Sequence, residues 1–416
     1  MYRHITHIMK KSIIIALLFV GVFAQAQKKW TLKECVEHAL ENNISIKQSE
    51  LDLKAVDIED LTALGNFIPT LNGSAGVSES VGLGFNPATN QPETVTFLSA
   101  NGSINAGYTV FDGLRNVRQV QRAKISRLAN QYRLSRMKDD ISLLVANSYL
   151  NVLLNKANLE VLISQNGVTK QQIKQTEQLV EVGTLPQGDL LEIQATDASE
   201  QQSIVNAENQ IKLSLISLAQ VLLIKDYENF DIEDEGYGIV DSISDKPVDE
   251  IISNAKENRS EIRIAEQNVE LAKKDVQIAK GSLLPTISAS IGYNTRFTDA
   301  DPRDFIEQLY INDGIRYGFN LNVPVLNGFN ARANVKRNKI NLERSKFQLE
   351  QAELDLESNV YQAYIDARGT LKAYEASESA LESQELAYEY AKARYDEGLT
   401  NAFDFSQAKL LSLIHI

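Results

Sequence analysis

From Leu98 the even positions are apolar or small: Leu98, Ala100, Gly102, Ile104, Ala106, Tyr108 and Val110. The odd positions between them are mostly polar, as in Ser99, Asn101, Ser103, Asn105 and Thr109. A period of two describes a strand with two unlike faces. The design returns in Ile287, Ala289, Ile291 and Tyr293, and again in Ile315, Tyr317, Phe319, Leu321, Val323 and Val325. Leu71, Gly73, Ala75 and Val77 give a weaker version. The pattern predicts strands over about 70–81, 94–111, 286–296 and 314–326, with Gly82 to Glu93 and Arg296 to Gly314 as the loops between partners.

Elsewhere the pattern is helical. Thr31 opens a helix reaching Leu64, with Glu34 completing a capping box. Pro69 and Pro285 mark the change from helix to strand. Residues 113–182 and 328–397 run 70 positions each without proline. As continuous helices they would be roughly 105 Å long, which points to a coiled-coil or tubular structure. In the second, Val335, Leu342, Leu349, Leu356 and Ala363 form one seven-residue row, and Ile340, Phe347, Leu354 and Tyr361 form another. Ile340 and Leu342 lie roughly 200° apart around a helix, so the rows face opposite ways. A helix with a neighbour on each side suits a closed wall of helices, whereas a dimeric coiled coil shows one seam. Gly183 and Gly398 then end the long helices, where glycine takes a left-handed cap. A returning helix follows over about 186–224, and its counterpart is cut short by the chain end.

The two halves repeat one another. Ala39-x-Glu41-Asn42 recurs as Ala255-x-Glu257-Asn258, and Ile68-Pro69-Thr70 as Leu284-Pro285-Thr286, both offset by 216. Val110-x-x-Gly113 recurs as Val325-x-x-Gly328, Tyr149 as Tyr364, Gly183 as Gly398 and Asp189 as Asp404, all offset by 215. A constant offset over most of each half indicates a tandem duplication. It divides the chain into a first repeat, 27–224, an acidic linker or equatorial segment, 225–247, and a second repeat, 248–416. Applying the offset to the first returning helix leaves roughly 23 positions of the repeat beyond Ile416, so either a longer parent protein or a protein that assembles poorly is expected.

Composition adds a compartment and removes several chemistries. Lys10 and Lys11 precede an apolar run from Ser12 to Ala24, and Ala24-Gln25-Ala26 makes a small-x-small cleavage site. Residues 1–26 therefore read as a secretory signal peptide, too short to span a bilayer. Removing them takes away three bases and moves the net charge from −13 to −16. Such an acidic chain is no nucleic-acid binder. One cysteine, Cys35, and four scattered histidines hold no disulfide framework, metal site or cofactor. Cys35 is expected in the core of the first helix.

With no apolar helix after the leader, any membrane span is made of strands. Apolar-out, polar-in strands of this length characterise outer-membrane barrels. Four strands cannot close one, and open edges are not tolerated in lipid. Closure needs two chains for eight strands or three for twelve, and an eight-stranded barrel is filled by its own side chains. If the product is an open pore, three chains is the better choice, and the fold class is then an α+β membrane protein with long coiled-coil helices forming an α-barrel, plus four strands per chain in a trimeric twelve-stranded β-barrel.

The duplication, the helix–strand–strand–helix order, the Pro-Thr openings of the strands, the Val-x-x-Gly exits and the turns Val182-Gly183-Thr184-Leu185 and Glu397-Gly398-Leu399-Thr400 resemble the TolC-type outer-membrane efflux channels from Trp30 onward. The resemblance implies a homotrimer in outer-membrane lipid of a Gram-negative bacterium, with a large periplasmic part. It implies a passive conduit of a tripartite efflux or type I secretion system, fed by an inner-membrane pump through a periplasmic adaptor. It implies no enzymatic activity, and no nucleophile, phosphate loop or metal spacing argues for one. Asp189 and Asp404 are candidates for a cation-attracting periplasmic aperture, or for simple stabilisers of their helix N-termini. Gly183, Thr184, Leu185, Gly398, Leu399 and Thr400 are candidate adaptor-docking tips. A structural periplasmic coiled-coil or adhesin without a pore is the alternative, but it leaves the strands without a purpose.

Overall fold

The computed structural model describes residues 29–85, 89–236, 246–400, 404, 405, 407–409 and 411. The expected signal peptide 1–26, residues 237–245 of the acidic segment and the last residues 412–416 lie outside the described residues. The chain divides into two units: Met1–Gln48 with Arg136–Ser253 and Glu357–Ile416, and Ser49–Ser135 with Asn254–Leu356.

The duplication is visible in helix lengths. Helices α1 (Leu32–Asn42), α2 (Ile44–Gly65) and α3 (Arg115–Glu181) have 11, 22 and 67 residues. Their counterparts α5 (Val248–Asn258), α6 (Ser260–Gly281) and α8 (Asn330–Asp396) have 11, 22 and 67 as well. Helix α4 (Gln187–Leu222) returns from α3. Among the described residues, no helix is long and apolar enough to cross a membrane.

The opening helix is two helices, not one. The Thr31 capping box is formed, with Thr31 Oγ1 accepting from Glu34 N at 3.2 Å and Glu34 Oε2 from Thr31 N at 3.2 Å. Asn43 then breaks the run. Its backbone leaves the helical region at φ −58°, ψ 133°, its N–H closes α1 on Ala39 O, and its Oδ1 accepts from Ser45 N at 2.9 Å to start α2. The recurring Ala-x-Glu-Asn motif ends at this break in both repeats, since Asn258 closes α5. The long helices also start two residues later than expected. Gly113 and Leu114 have φ of 73° and 64°, and Gly328 and Phe329 have 60° and 65°. Each pair is left-handed, so no helix includes it.

Strands β2 (Thr70–Phe85), β3 (Pro92–Phe111), β5 (Thr286–Thr298) and β6 (Gly314–Asn322) form one antiparallel sheet, ordered β2-β3-β5-β6. β2 and β3 are longer than the alternation indicated, because Val81↔Thr96 and Leu83↔Thr94 continue the ladder towards the hairpin end. β6 stops at Asn322 rather than 326. Pro324 has no N–H to give a ladder. Near the end of β3 the register skips Val110 and places Phe111 opposite Ile287, so a bulge removes Val110 from the even-numbered apolar series.

The segment 296–314, expected as a plain loop, contains helix α7 (Phe305–Ile311). Gln308 on α7 is fully buried and organises it. Its Nε2 donates to the carbonyls of Thr298, Asp301 and Arg303 at 2.8–3.1 Å, and its Oε1 accepts from Thr298 N at 2.9 Å. Arg303 pairs with Asp301 and holds that carboxyl below its usual range.

The acidic segment carries a strand that patterning did not show. β4 (Asp231–Ile232) pairs in parallel with β1 (Lys29–Trp30). The Tyr149 hydroxyl ties the pair to α3, bonding the carbonyls of Trp30 and Glu233. Trp30 meets His38 edge-on at 5.2 Å and Phe230 at 6.2 Å. Cys35 and Ala39 on α1 are buried, in line with the expected core role of Cys35.

Candidate functional site: a two-faced sheet and the helical tips

From the level of Leu71 to that of Val77 the sheet separates its residues by chemistry, while towards the hairpin end Glu79, opposite Leu98, and Val95 and Phe97 depart from that division. One level holds Gly73, Ile104, Tyr293 and Ile315 side by side; the next holds Leu71, Ala106, Ile291 and Tyr317. Directly opposite residues share a face, so these rows make one apolar surface. It stays open within the chain, with Tyr317 80% and Phe319 81% exposed. The other face has rows such as Asn72, Asn105, Gly292 and Arg316, and Ser74, Ser103, Asn294 and Gly314. Ser74 and Ser103 hydroxyls lie 2.8 Å apart, Ser78 and Ser99 3.0 Å apart. Gly292 is small because Asn105 lies over it, its Oδ1 2.4 Å from where a Cβ would stand. Among the described residues, strands β2 and β6 are both open edges.

The helices leading to those edges carry apolar rows of their own. On α8, Val335 and Leu356 are buried. The second row is not: Ile340 is 62% exposed, Phe347 68% and Leu354 54%. On α2, the seven-residue row Ile44, Leu51 and Ile58 is exposed too, with Leu61 beside it. The first row is thus covered in large part by the chain itself, with Leu342 and Leu349 half-covered and Ala363 exposed, while the second stays open.

The tips share one geometry. Gly183 has φ 80°, with Thr184 N bonding Leu179 O at 2.9 Å and Gly183 N bonding Val180 O at 3.0 Å. Gly398 has φ 71°, with Leu399 N bonding Arg394 O at 2.8 Å and Gly398 N bonding Tyr395 O at 2.9 Å. Each is a Schellman closure of a 67-residue helix. Val182, Gly183, Thr184, Gly398 and Leu399 are exposed, while Leu185 and Thr400 are half-covered. Asp189 lies in the first turn of α4, its N–H on Pro186 O, and is half-covered. Asp404 is exposed and its Oδ2 accepts from Thr400 Oγ1 at 3.3 Å.

Gly183→Ala is expected to cost about 1 kcal/mol, because its Cβ would enter open space and only the left-handed backbone resists. Gly113→Ala is expected to cost about 3 kcal/mol. Its Cβ would stand 2.3 Å from Gly281 O, at a close backbone approach between the foot of α3 and the end of α6. Thermal unfolding of the two variants checks the ordering; equal losses would contradict it.

Near the tips the covered stripe of α3 changes chemistry. Ile141, Val145, Tyr149 and Val152 are buried, and further along so are Asn166, Thr169, Gln172 and Thr176. Lys409 is buried against this polar stretch: its Nζ bonds Thr169 Oγ1 and lies 3.4 Å from Glu200 Oε1. Gln165 and Asn166 also donate to Glu200, at 3.0 and 3.3 Å. Burial pushes the Lys409 ammonium below its ordinary pKa, and Glu200 opposes the shift. Thr176 Oγ1 lies 3.4 Å from Tyr395 Oη, and Phe405 stacks on Tyr395 at 4.9 Å and Tyr388 at 5.7 Å. Sequence reading missed this cluster. The signal was present in the spacing of Asn166, Thr169, Gln172 and Thr176, polar residues at the intervals of a helix seam.

Comparison with known proteins agrees with this architecture. The family model for "Outer membrane efflux protein" matches residues 35–222 and 251–412, one match per repeat. Outer membrane protein TolC of Vibrio cholerae is 23% identical over 393 residues, covering 94% of this chain and 86% of its own. The Campylobacter jejuni CmeC outer membrane channel superposes with a TM-score of 0.81 at 17% identity, over 92% of this chain and 80% of that one. The Vibrio cholerae outer membrane protein VceC gives 0.79 at 18%, over 92% and 90%. With the duplication, the two-faced sheet and the paired long helices, these matches place the chain in the outer membrane efflux protein family.

Proposed function

We propose that three copies of the chain form a passive conduit across the outer membrane of a Gram-negative bacterium, open to a periplasmic adaptor and an inner-membrane pump at its far end. The observation that carries this reading is the sheet with two open edges and two opposite faces. β6 of one copy pairs with β2 of the next, three sheets close into twelve strands, and no edge is left in lipid. The exposed seam of α8, which follows β6, then covers the exposed seam of the neighbour's α2, which precedes β2. A head-to-tail contact of this kind generates a ring. The apolar sheet face meets lipid and the polar face lines the passage. Transport energy comes from the pump, and the chain performs no catalysis. A poreless coiled-coil protein would have no use for the apolar sheet face.

At the far end, Gly183, Thr184, Leu185, Gly398, Leu399 and Thr400 make the adaptor-docking surface. Asp189 and Asp404 give six carboxylates around the aperture of a trimer, attracting cations. The polar stretch of α3 supports a tip that rearranges, since parting it uncovers groups that water also satisfies. Planar bilayers test the reading. Discrete conductance steps are expected, and Asp189→Ala with Asp404→Ala is expected to lower cation selectivity severalfold with unit conductance retained. A protein that stays monomeric in mild detergent and never conducts would overturn the conduit; unchanged selectivity with lowered thermal stability would leave the aspartates as helix stabilisers only.

A further inference from the structure

The polar face of the sheet is not charge-neutral. Reading it by register, β2 contributes Thr70, Asn72, Ser74, Gly76 and Ser78, and β3 contributes Ser99, Asn101, Ser103, Asn105 and Gly107. Over the same levels β5 and β6 add serines, asparagines and glycines, and two charged side chains, Arg296 and Arg316. The face's acid, Glu93, stands opposite Gly84 at the hairpin end, beyond the last β3–β5 pair, Ser99↔Thr298. Arg316 has Gly314 and Gly318 as its same-face neighbours along β6 and is level with Gly292. Arg296 is level with Asn101 and Gly76. Both side chains are exposed, and among the described residues no hydrogen bond or ion pair engages either guanidinium. This basic face belongs to a chain whose net charge is −13, so the local field opposes the global one.

We infer that Arg296 and Arg316 make the barrel section an anion-attracting passage, suited to cargo bearing carboxylate, phosphate or sulfonate groups. The inference rests on the closure proposed above, which turns this face inward and brings six guanidinium groups into one lumen. Arginine stays charged at any physiological pH and binds planar oxyanions through two parallel N–H donors. A charged cleft with low-dielectric walls concentrates counter-ions by about tenfold or more. Glycines around Arg316 keep its approach open, whereas carboxylates at those levels would have cancelled it.

A single thiol reads the field directly. Cys35 is the chain's one cysteine and is buried, so Asn294→Cys introduces one accessible thiol, on the polar face at the level between the two arginines. Assembled protein in mild detergent is treated with anionic and cationic methanethiosulfonates of equal size, and the two labelling rates are followed by intact mass. Their ratio cancels any effect of the arginines on ionisation of the thiol, and it reports locally, independent of the acidic tips. The anionic reagent is expected to react faster, and Arg296→Gln with Arg316→Gln to lower the anion-to-cation ratio about tenfold. Bilayer recordings of the same variants accompany the labelling. Conducting channels whose ratio is unchanged by losing both arginines would overturn this inference alone. Protein that never conducts would overturn the closure, and this inference with it.

Discussion

Ile340→Glu combined with Phe347→Glu is expected to leave the protein monomeric in mild detergent. Both residues lie on the outward row of α8, with 62% and 68% of their surface open. If the row is covered by a neighbour's α2, each loses about 1.5–3 kcal/mol of apolar burial on substitution. Each glutamate must then also be desolvated against Leu51, Ile58 or Leu61, at a cost of several kcal/mol unless the contact opens. Together they weaken each contact by about 5 kcal/mol or more, over a thousandfold in an association constant. A trimer has three such contacts. The matched control is Val335→Glu, on the row the chain already buries; it should damage the folded protomer instead. Native mass spectrometry separates these outcomes. Trimers that persist in the Ile340 and Phe347 double variant would show that the open seam faces something other than a second copy.

That pair of rows shows what was legible in the sequence and where legibility ended. Strict seven-residue spacing identifies a seam because helix geometry is local. Which of two seams the chain covers is decided by tertiary packing, which the helix's own pattern does not contain. The same division runs through the fold. The alternation in Ile287 to Tyr293 and the tip glycines Gly183 and Gly398 are properties of short segments, and they fixed strand faces and helix ends. Asn43 is intermediate: Asn is a familiar helix cap, but residues that favour helix on both sides mask the break. The two-residue strands β1 and β4 carry no periodicity, since their pairing depends on Tyr149 and on Trp30 meeting Phe230. Gln308 looks like any surface glutamine until four backbone partners surround it. Lys409 reads as one more charge on a helix, and its partners Thr169 and Glu200 lie 240 and 209 residues away.

Lys409→Met is expected to destabilise the helical unit by about 3–5 kcal/mol, and adding Glu200→Leu to recover most or all of it. The Lys409 and Glu200 side chains are only 8% and 10% exposed. Removing the lysine strands a carboxylate among α3 and α4 with Gln165 and Asn166 as its neutral donors, and a buried charge without its partner costs about that much. Replacing both members by apolar groups removes two desolvation costs along with one attraction, a trade that is often neutral or favourable. The lowered pKa of Lys409 carries the same sign, burial outweighing the pull of Glu200. The pair also ties down register: Lys409 places its ammonium beside Thr169 and Glu200, and that contact holds the segment of Phe405 and Lys409 along α3 and α4. The double variant should therefore match the wild type in its unfolding midpoint while its tips become heterogeneous, seen as extra conductance sub-states or faster hydrogen exchange around Tyr395. A strictly additive cycle, with each substitution costing the same in either background, would show that Lys409 and Glu200 do not act as a pair.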